Sequence, residues 1–344
     1  MIRILLLLLL ATGHMFSQTI SGRVYDENKK PMQGVSVYLD GTTIGTSTDE
    51  TGKYDLSIRN TVNTMLVIRF IGYETMIIEN PFKDNNAVIY MTPKATSLDE
   101  IVIAKDPFTR EQKLAVFREQ FLGKTKAGKT CKILNENEID FEYDYKTNTL
   151  IASSNVPLEI ENLYLGYRIE FEMLDFYVKF YKKSIKSADV MSSLFLGTTR
   201  YADANISEKT DKNRGVAYFG SQMHFFKNLS QNVWGGKNFL LFNGSYQDNP
   251  DHFFSITQEG SLKKITVTKN TQTNGYIANT GSKFIATFNL LYNKKKQSKV
   301  DFLIQEFYVD EFGNSTEADK IQFGGDLGKK RLGDMLPMDF VPKN

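Results

Sequence analysis

From Ile20 onward, apolar and polar residues alternate in short runs that break at Gly, Asn, Asp and Pro. Ile20, Gly22 and Val24 alternate with Ser21, Arg23 and Tyr25, and the polar stretch from Asp26 to Pro31 ends the run. Val35, Val37 and Leu39 alternate with Ser36 and Tyr38 up to Asp40-Gly41, a pair that tolerates positive φ and signals a hairpin. After the turn residues Asp49-Glu50-Thr51-Gly52, the alternation resumes through Tyr54, Leu56 and Ile58. Met65 to Ile71 is nearly continuous in apolar residues, as in a strand buried on both faces. Thr75 to Ile78 and Val88 to Met91 close the set. About seven strands with a turn every 8–12 residues predict a β-sandwich over residues 18–96.

The punctuation has a physical reading. Gly34, Gly45, Gly52 and Gly72 flank strands, where turns and bulges disfavour a side chain. Asp49 and Glu50 are expected to cap the turn before Gly52, because a calcium site needs more oxygens than two local carboxylates supply. The series Ile20-Ser-Gly22-Arg-Val24, Pro31-Met-Gln-Gly34-Val35, Gly45-Thr-Ser-Thr48-Asp49-Glu-Thr-Gly52-Lys-Tyr54 and Phe70-Ile-Gly72-Tyr73 resembles the carboxypeptidase-like regulatory domain. That family is a transthyretin-like sandwich carried by many exported proteins of Gram-negative bacteria. Met32 stands where the family usually has Leu, and Tyr54 where it often has Phe.

Ser97-Leu-Asp-Glu-Ile-Val-Ile103 resembles the segment that often follows this module in TonB-dependent receptors and shorter exported proteins. It is expected to add a final strand at a boundary, with residues 97–108 as linker. A 22-stranded receptor barrel needs roughly 220 residues in strands alone. Plug, turns and loops would not fit in the roughly 240 residues that follow, so a complete receptor is not expected.

Residues 109–344 read as a larger β-rich domain preceded by one helix. Thr109 and Gln112 have capping-box spacing, Leu114, Phe117 and Phe121 share a helical face, and Gly123 marks the stop. Strands are predicted at 139–145, 150–152, 157–180, 216–219, 239–242, 264–268, 283–292 and 298–310. The alternation of Ile169, Phe171 and Met173 shifts phase to Leu174, Phe176, Val178 and Phe180, which requires a bulge or turn near Asp175. The fold class expected for the whole chain is mostly β. A small membrane barrel over residues 130–344 is disfavoured because Glu170, Glu172 and Lys179 would face lipid.

Composition and charge narrow the function. Met1-Ile2-Arg3, the apolar run Ile4 to Ala11 and the small residue Ser17 form a tripartite signal peptide over residues 1–17. No run approaches the roughly 20 apolar residues of a membrane-spanning helix. The chain is therefore expected outside the cytoplasm, in the periplasm, at the outer-membrane surface or secreted. Net charge is +2 and the basic runs are short, which disfavours nucleic acid as a partner. Cys131 has no second cysteine to pair with and reads as a buried apolar residue in a strand.

The chemistry expected of a catalyst is missing from the spacing. Beyond residue 17 the histidines are His224 and His252, and Lys227 and Ser255 stand three residues after them, so no zinc carboxypeptidase motif is present. Neither His-Glu-x-x-His nor Gly-x-Ser-x-Gly occurs. Asp140 with Glu142, and Glu159 with Glu161, alternate along strands as solvent-facing acids. No catalytic residue, metal ligand or cofactor is assigned. The expectation is a non-catalytic envelope protein that binds or scaffolds a protein or glycan partner. The alternative is a hydrolase, peptidase or glycosidase accessory, with an unrecognised site in the second domain. Tyr164, Tyr167, Trp234 and Tyr246 lie at turn-like places and form the candidate contact surface, since aromatic anchors dominate such surfaces.

Overall fold

The computed structural model describes residues 18–58, 62–83, 86–94, 107–268 and 285–343. The expected signal peptide (1–17) and the strand expected at 97–103 lie outside the described residues. The chain divides into two compact units, one from 18–39 with 44–94 and the other from Asp40–Thr43 with 107–343.

Unit 1 is the expected sandwich, with seven strands among the described residues. They are β1 (Gln18–Tyr25), β2 (Ser36–Leu39), β3 (Gly45–Ser47), β4 (Lys53–Ile58), β5 (Leu66–Arg69), β6 (Met76–Ile78) and β7 (Ala87–Tyr90). One sheet has the order β4-β1-β7, the other β3-β2-β5-β6. β1 runs antiparallel to β4 and parallel to β7. The strict alternation in β4 buries Tyr54, Leu56 and Ile58, which meet Val37, Leu39, Leu66 and Ile68 of the second sheet in one core. Gly45 starts β3 rather than a turn, whereas Gly52 has φ 73° and a Cβ there would stand 2.5 Å from the Val24 carbonyl oxygen. Asp49 caps this turn as expected. Its Oδ1 accepts from the N–H groups of Thr51 (2.8 Å) and Lys53 (3.0 Å), and with the Thr51 hydroxyl these bonds hold its carboxyl below the usual range.

Tyr54 shows the consequence of one departure from the family pattern. Its ring lies over Gly22, its cross-strand partner, where a Cβ would be 2.6 Å from the hydroxyl. That hydroxyl is buried and has no hydrogen-bond partner among the described residues. An unsatisfied buried donor costs about 1–3 kcal/mol. Tyr54→Phe is therefore expected to stabilise unit 1 by about 1 kcal/mol. The check is amide hydrogen exchange in β1 and β4, which should slow by about fivefold; unchanged or faster exchange would mean that the hydroxyl is satisfied.

Unit 2 holds two cores in sequence. The first is built by α1 (Arg110–Leu122), α2 (Lys126–Thr130), β8 (Cys131–Ile133), β9 (Ile139–Asp144), β10 (Thr149–Ser154), β11 (Leu158–Asn162), β12 (Tyr167–Phe180) and β13 (Val190–Asp203). The sheet order is β8-β11-β12-β10-β9, and β13 pairs along β12. Thr109 and Gln112 form the expected capping box, with reciprocal bonds of 2.9 and 3.3 Å. α1 sets Phe117 4.6 Å from Phe176 and Phe121 4.8 Å from Phe171, ring to ring, on the inner face of the sheet. The register of β12 on β13 shifts between Met173 and Asp175, where the phase change requires it, but Leu174 does not join Phe176, Val178 and Phe180: it is the residue skipped by the irregularity and is left exposed.

The second core follows α3 (Glu208–Tyr218) and α4 (Gln222–Ser230). Its strands are β14 (Phe239–Asn243), β15 (Tyr246–Gln247), β16 (Phe254–Glu259), β17 (Leu262–Val267), β18 (Ala286–Tyr292), β19 (Lys296–Phe302), β20 (Glu306–Val309) and β21 (Ile321–Gly324), followed by the single turn α5 (Gly325–Gly328). The sheets β15-β14-β18-β19-β21 and β16-β17-β20 enclose a phenylalanine-rich core with Phe225, Phe226 and Leu229 of α4. The strands of unit 2 thus form three sheets among the described residues. The strand expected at 216–219 is instead the end of α3, and among the described residues the single expected helix has four companions. No helix among the described residues is long and apolar enough to cross a membrane.

Candidate functional site

The four aromatic residues expected to form a contact surface do not share one. Tyr167 is 2% exposed, because it takes the first inward position of β12 rather than a place in the preceding turn. Its ring meets Tyr201 edge-on at 5.6 Å, and the Arg214 guanidinium lies 3.8 Å from its centroid. Tyr164 is half-buried against the same core, with the Lys126 ammonium 5.5 Å from its ring centre. Trp234 packs on the other core of unit 2, parallel to Phe254 at 6.2 Å and edge-on to Phe225 at 6.3 Å, and its Nε1 donates to Asn232 Oδ1 at 2.9 Å. Of the four, Tyr246 offers its ring to solvent, at 82% exposure.

These contacts decide what Trp234→Ala should do. A half-buried indole packed against two rings is a packing element, so its removal is expected to destabilise unit 2 by about 2–3 kcal/mol, at or below the low end for large aromatic truncations. Urea denaturation followed by circular dichroism measures this. A loss below about 0.5 kcal/mol would return Trp234 to the role of a surface anchor.

The remaining chemistry-bearing residues are held in structural roles. Among the described residues, no three of His, Cys, Asp and Glu are grouped to hold a metal ion. His224 is buried at the N-terminal end of α4 among Tyr218, Phe219, Phe239 and Tyr292, and burial pushes its pKa down to about 4. His252 faces solvent and pairs with Asp248 at 2.9 Å. Cys131 lies in β8 as expected, and its thiol is pushed up to about 12 by burial and by the charge of Asp334. A thiol held in its protonated form is a poor nucleophile.

Sequence reasoning missed the concave features of unit 2. A cavity of about 350 Å³ opens among Asp40-Gly41, β13, the end of α3, the start of α4 and the segment from Lys330 to Met338. Asp40 fixes one wall: its Oδ1 accepts from the N–H of Thr199 at 2.6 Å, and burial raises its pKa. Gly41 N–H donates to the Thr199 carbonyl oxygen at 2.7 Å, and Met338 N–H to that of Gly41 at 2.7 Å, which ties the C-terminal segment to the Asp40-Gly41 wall. Asp334, 8% exposed, stands in the same lining, and its Oδ2 has no hydrogen-bond partner among the described residues. Asp40-Gly41 carries a hairpin signal, and Asp334 lies in an irregular stretch, so neither residue type nor spacing marks the cavity in the sequence.

A second recess of about 290 Å³ is lined by Tyr167, Asp203, Asp211, Arg214 and Asp339, among others. Here the polar groups answer one another. Arg214 Nε donates to the Leu165 carbonyl oxygen (2.7 Å), and Nη2 donates to that of Gly166 (3.1 Å) and to Asp203 (2.7 Å). Asp339 accepts from the N–H and hydroxyl of Thr43, and Asp211 from Lys343. The Arg214 cluster therefore joins α3 to the turn before β12.

Comparison with known proteins agrees with the sandwich. Residues 20–103 match the model of the CarboxypepD_reg-like domain. The same N-terminal segment is 40% identical over 86 residues to the TonB-dependent receptor P39 of Formosa agariphila, covering 24% of this chain and 8% of the receptor. It is 35% identical over 85 residues to the TonB-dependent receptor SusC of Bacteroides thetaiotaomicron, covering 25% of this chain and 8% of that receptor. The domain is thus shared with TonB-dependent receptors, and the likeness spans less than a tenth of either one.

Proposed function

We propose that this chain is an exported, non-catalytic protein of the cell envelope, whose sandwich module accompanies a larger β-rich unit that engages a protein or glycan partner by surface contact. The observation that carries this reading is the match of residues 20–103 to a domain also present in two TonB-dependent receptors. The tripartite start of the chain supports export. In unit 1 the conspicuous polar loop residues serve as turn caps. Asp26 accepts from the N–H groups of Asn28 and Lys30 as Asp49 does from those of Thr51 and Lys53, which supports a structural or docking module rather than a catalytic one.

Fractionation of cells expressing the full chain tests the location. The protein should appear in the envelope or medium with an N-terminus near Gln18, and an intact Met1 on protein confined to the cytosol would refute export. Peptide and glycoside substrates test the mechanism, since turnover above a boiled control would replace the binding reading with the hydrolase one.

A further inference from the structure

We propose that the cavity of unit 2 bounded by Asp40, Asp334 and the C-terminal segment is a binding site for a small organic cation, an amine on an apolar body. The inference rests on the cavity alone and does not depend on the role of unit 1 or on the cellular location. At about 350 Å³ the space falls within the range of small-molecule sites, roughly 300–1,000 Å³. Met223, Phe226 and Met338 supply apolar walls, and the methionines can adapt to an irregular ligand.

The charges in the lining select the ligand class. Two carboxylates, Asp40 and Asp334, face one ammonium, Lys330. Lys330 is only half-buried and keeps access to water. Asp334 is nine-tenths buried, and its Oδ2 lacks a donor. Its charge is felt by the neighbouring Cys131 thiol and by the Arg331 guanidinium, which stands outside the lining. Asp40 receives backbone N–H groups, yet burial still disfavours its charged form. The charge of both acids favours a positive group in the cavity. A carboxylate ligand would set like charges together in a desolvated space, and a purely apolar one would leave the charge of the two acids unanswered. An ammonium group on an apolar body meets both demands, with its head toward the acids and its body against the methionines and Phe226.

The test uses the full mature chain and three isosteric probes, 2-phenylethylamine, 2-phenylethanol and phenylacetate. Calorimetry and thermal shift should show saturable binding of the amine with a Kd on the order of 1 mM or tighter, at least tenfold weaker binding of the alcohol, and none of the acid. Asp334→Asn should weaken the amine at least tenfold. Ala217→Met should fill the space from α3 and abolish binding, and it decides the matter if the aspartate variant does not fold. Failure of the amine to bind, equal binding of amine and acid, or undiminished binding in a folded Ala217→Met variant would each overturn the proposal.

Discussion

Replacing Arg214 with alanine is expected to remove about 2–4 kcal/mol of stability from unit 2. Arg214 is 7% exposed and lies on the inward face of α3, where it bonds the carbonyl oxygens of Leu165 and Gly166 together with Asp203. The two carbonyls sit in the turn that launches β12, the strand on which the first core is organised. Truncation leaves them without their guanidinium donors and removes the cation stacked 3.8 Å from the Tyr167 ring centre. The Leu165 carbonyl loses its donor at a cost of about 1–3 kcal/mol, whereas that of Gly166 keeps the N–H groups of Ala204 and Asn205, and the stacked cation adds up to about 2 kcal/mol. The ion pair contributes little, because the Asp203 side chain is 42% exposed and water can replace the guanidinium there. Two further variants separate these parts. Asp203→Asn should cost no more than about 1 kcal/mol. Arg214→Lys should recover less than half of the loss, because an ammonium cannot span two carbonyls and a carboxylate in the geometry of a planar fork. The intrinsic fluorescence of the chain's single tryptophan, Trp234, reports unit 2 directly during denaturation. If Asp203→Asn proves as damaging as Arg214→Ala, the site is an ion pair and not a staple on backbone carbonyls.

The same residue explains why α3 was illegible. Its buried positions are Thr210, Arg214, Ala217 and Tyr218, a helical spacing with polar members at the first two places. An inward arginine erases the apolar stripe by which amphipathic helices are recognised, so Val216–Phe219 stands out as a lone apolar run and reads as a strand. Ser207 and Thr210 do form a capping box, but with Thr in the third position instead of the usual Glu or Gln. α4 hides in the same way, with His224, Asn228 and Ser230 among its buried residues. Where the inward face is apolar, the pattern was sufficient. It placed β4, the face of α1 and the irregularity near Asp175, because each depends on neighbours within a few residues, although Leu174 reads as part of the alternation that it interrupts. Tyr167 was misread because β12 begins one residue after Gly166, whose positive φ ends the turn. The cavity gathers Asp40, Thr199, Ala217 and Asp334, which are far apart in the chain and brought together by the fold, so no local pattern encodes it.

Acidification from pH 7 to pH 4 is expected to cost unit 2 about 3 kcal/mol through His224 alone. The ring is buried among four aromatic side chains, and Nδ1 accepts the N–H of Gly220 at 3.0 Å. That bond requires an unprotonated Nδ1, so the proton of the neutral ring resides on Nε2. Protonation would place an N–H against the Gly220 N–H and a charge in an apolar box. Burial accordingly lowers the pKa from 6.5 to about 4. The unfolded chain then binds a proton that the folded chain refuses over this window. The full stability is present above about pH 6.5 and falls as the pH drops toward 4, below which this contribution levels off. Asp40, whose pKa is raised, acts in the opposite sense. Asp49, Asp144 and Asp189, whose values are lowered, weaken the fold only near and below their ordinary range around pH 4. His224→Asn cancels these common terms. It keeps an acceptor for Gly220 and removes the titration, so it should start less stable at pH 7 because of the lost ring volume. Its stability should then change by about 3 kcal/mol less than that of the wild type between pH 7 and pH 4. Urea midpoints across that range give the comparison, and parallel pH profiles for the two proteins would show that His224 is not the group that titrates.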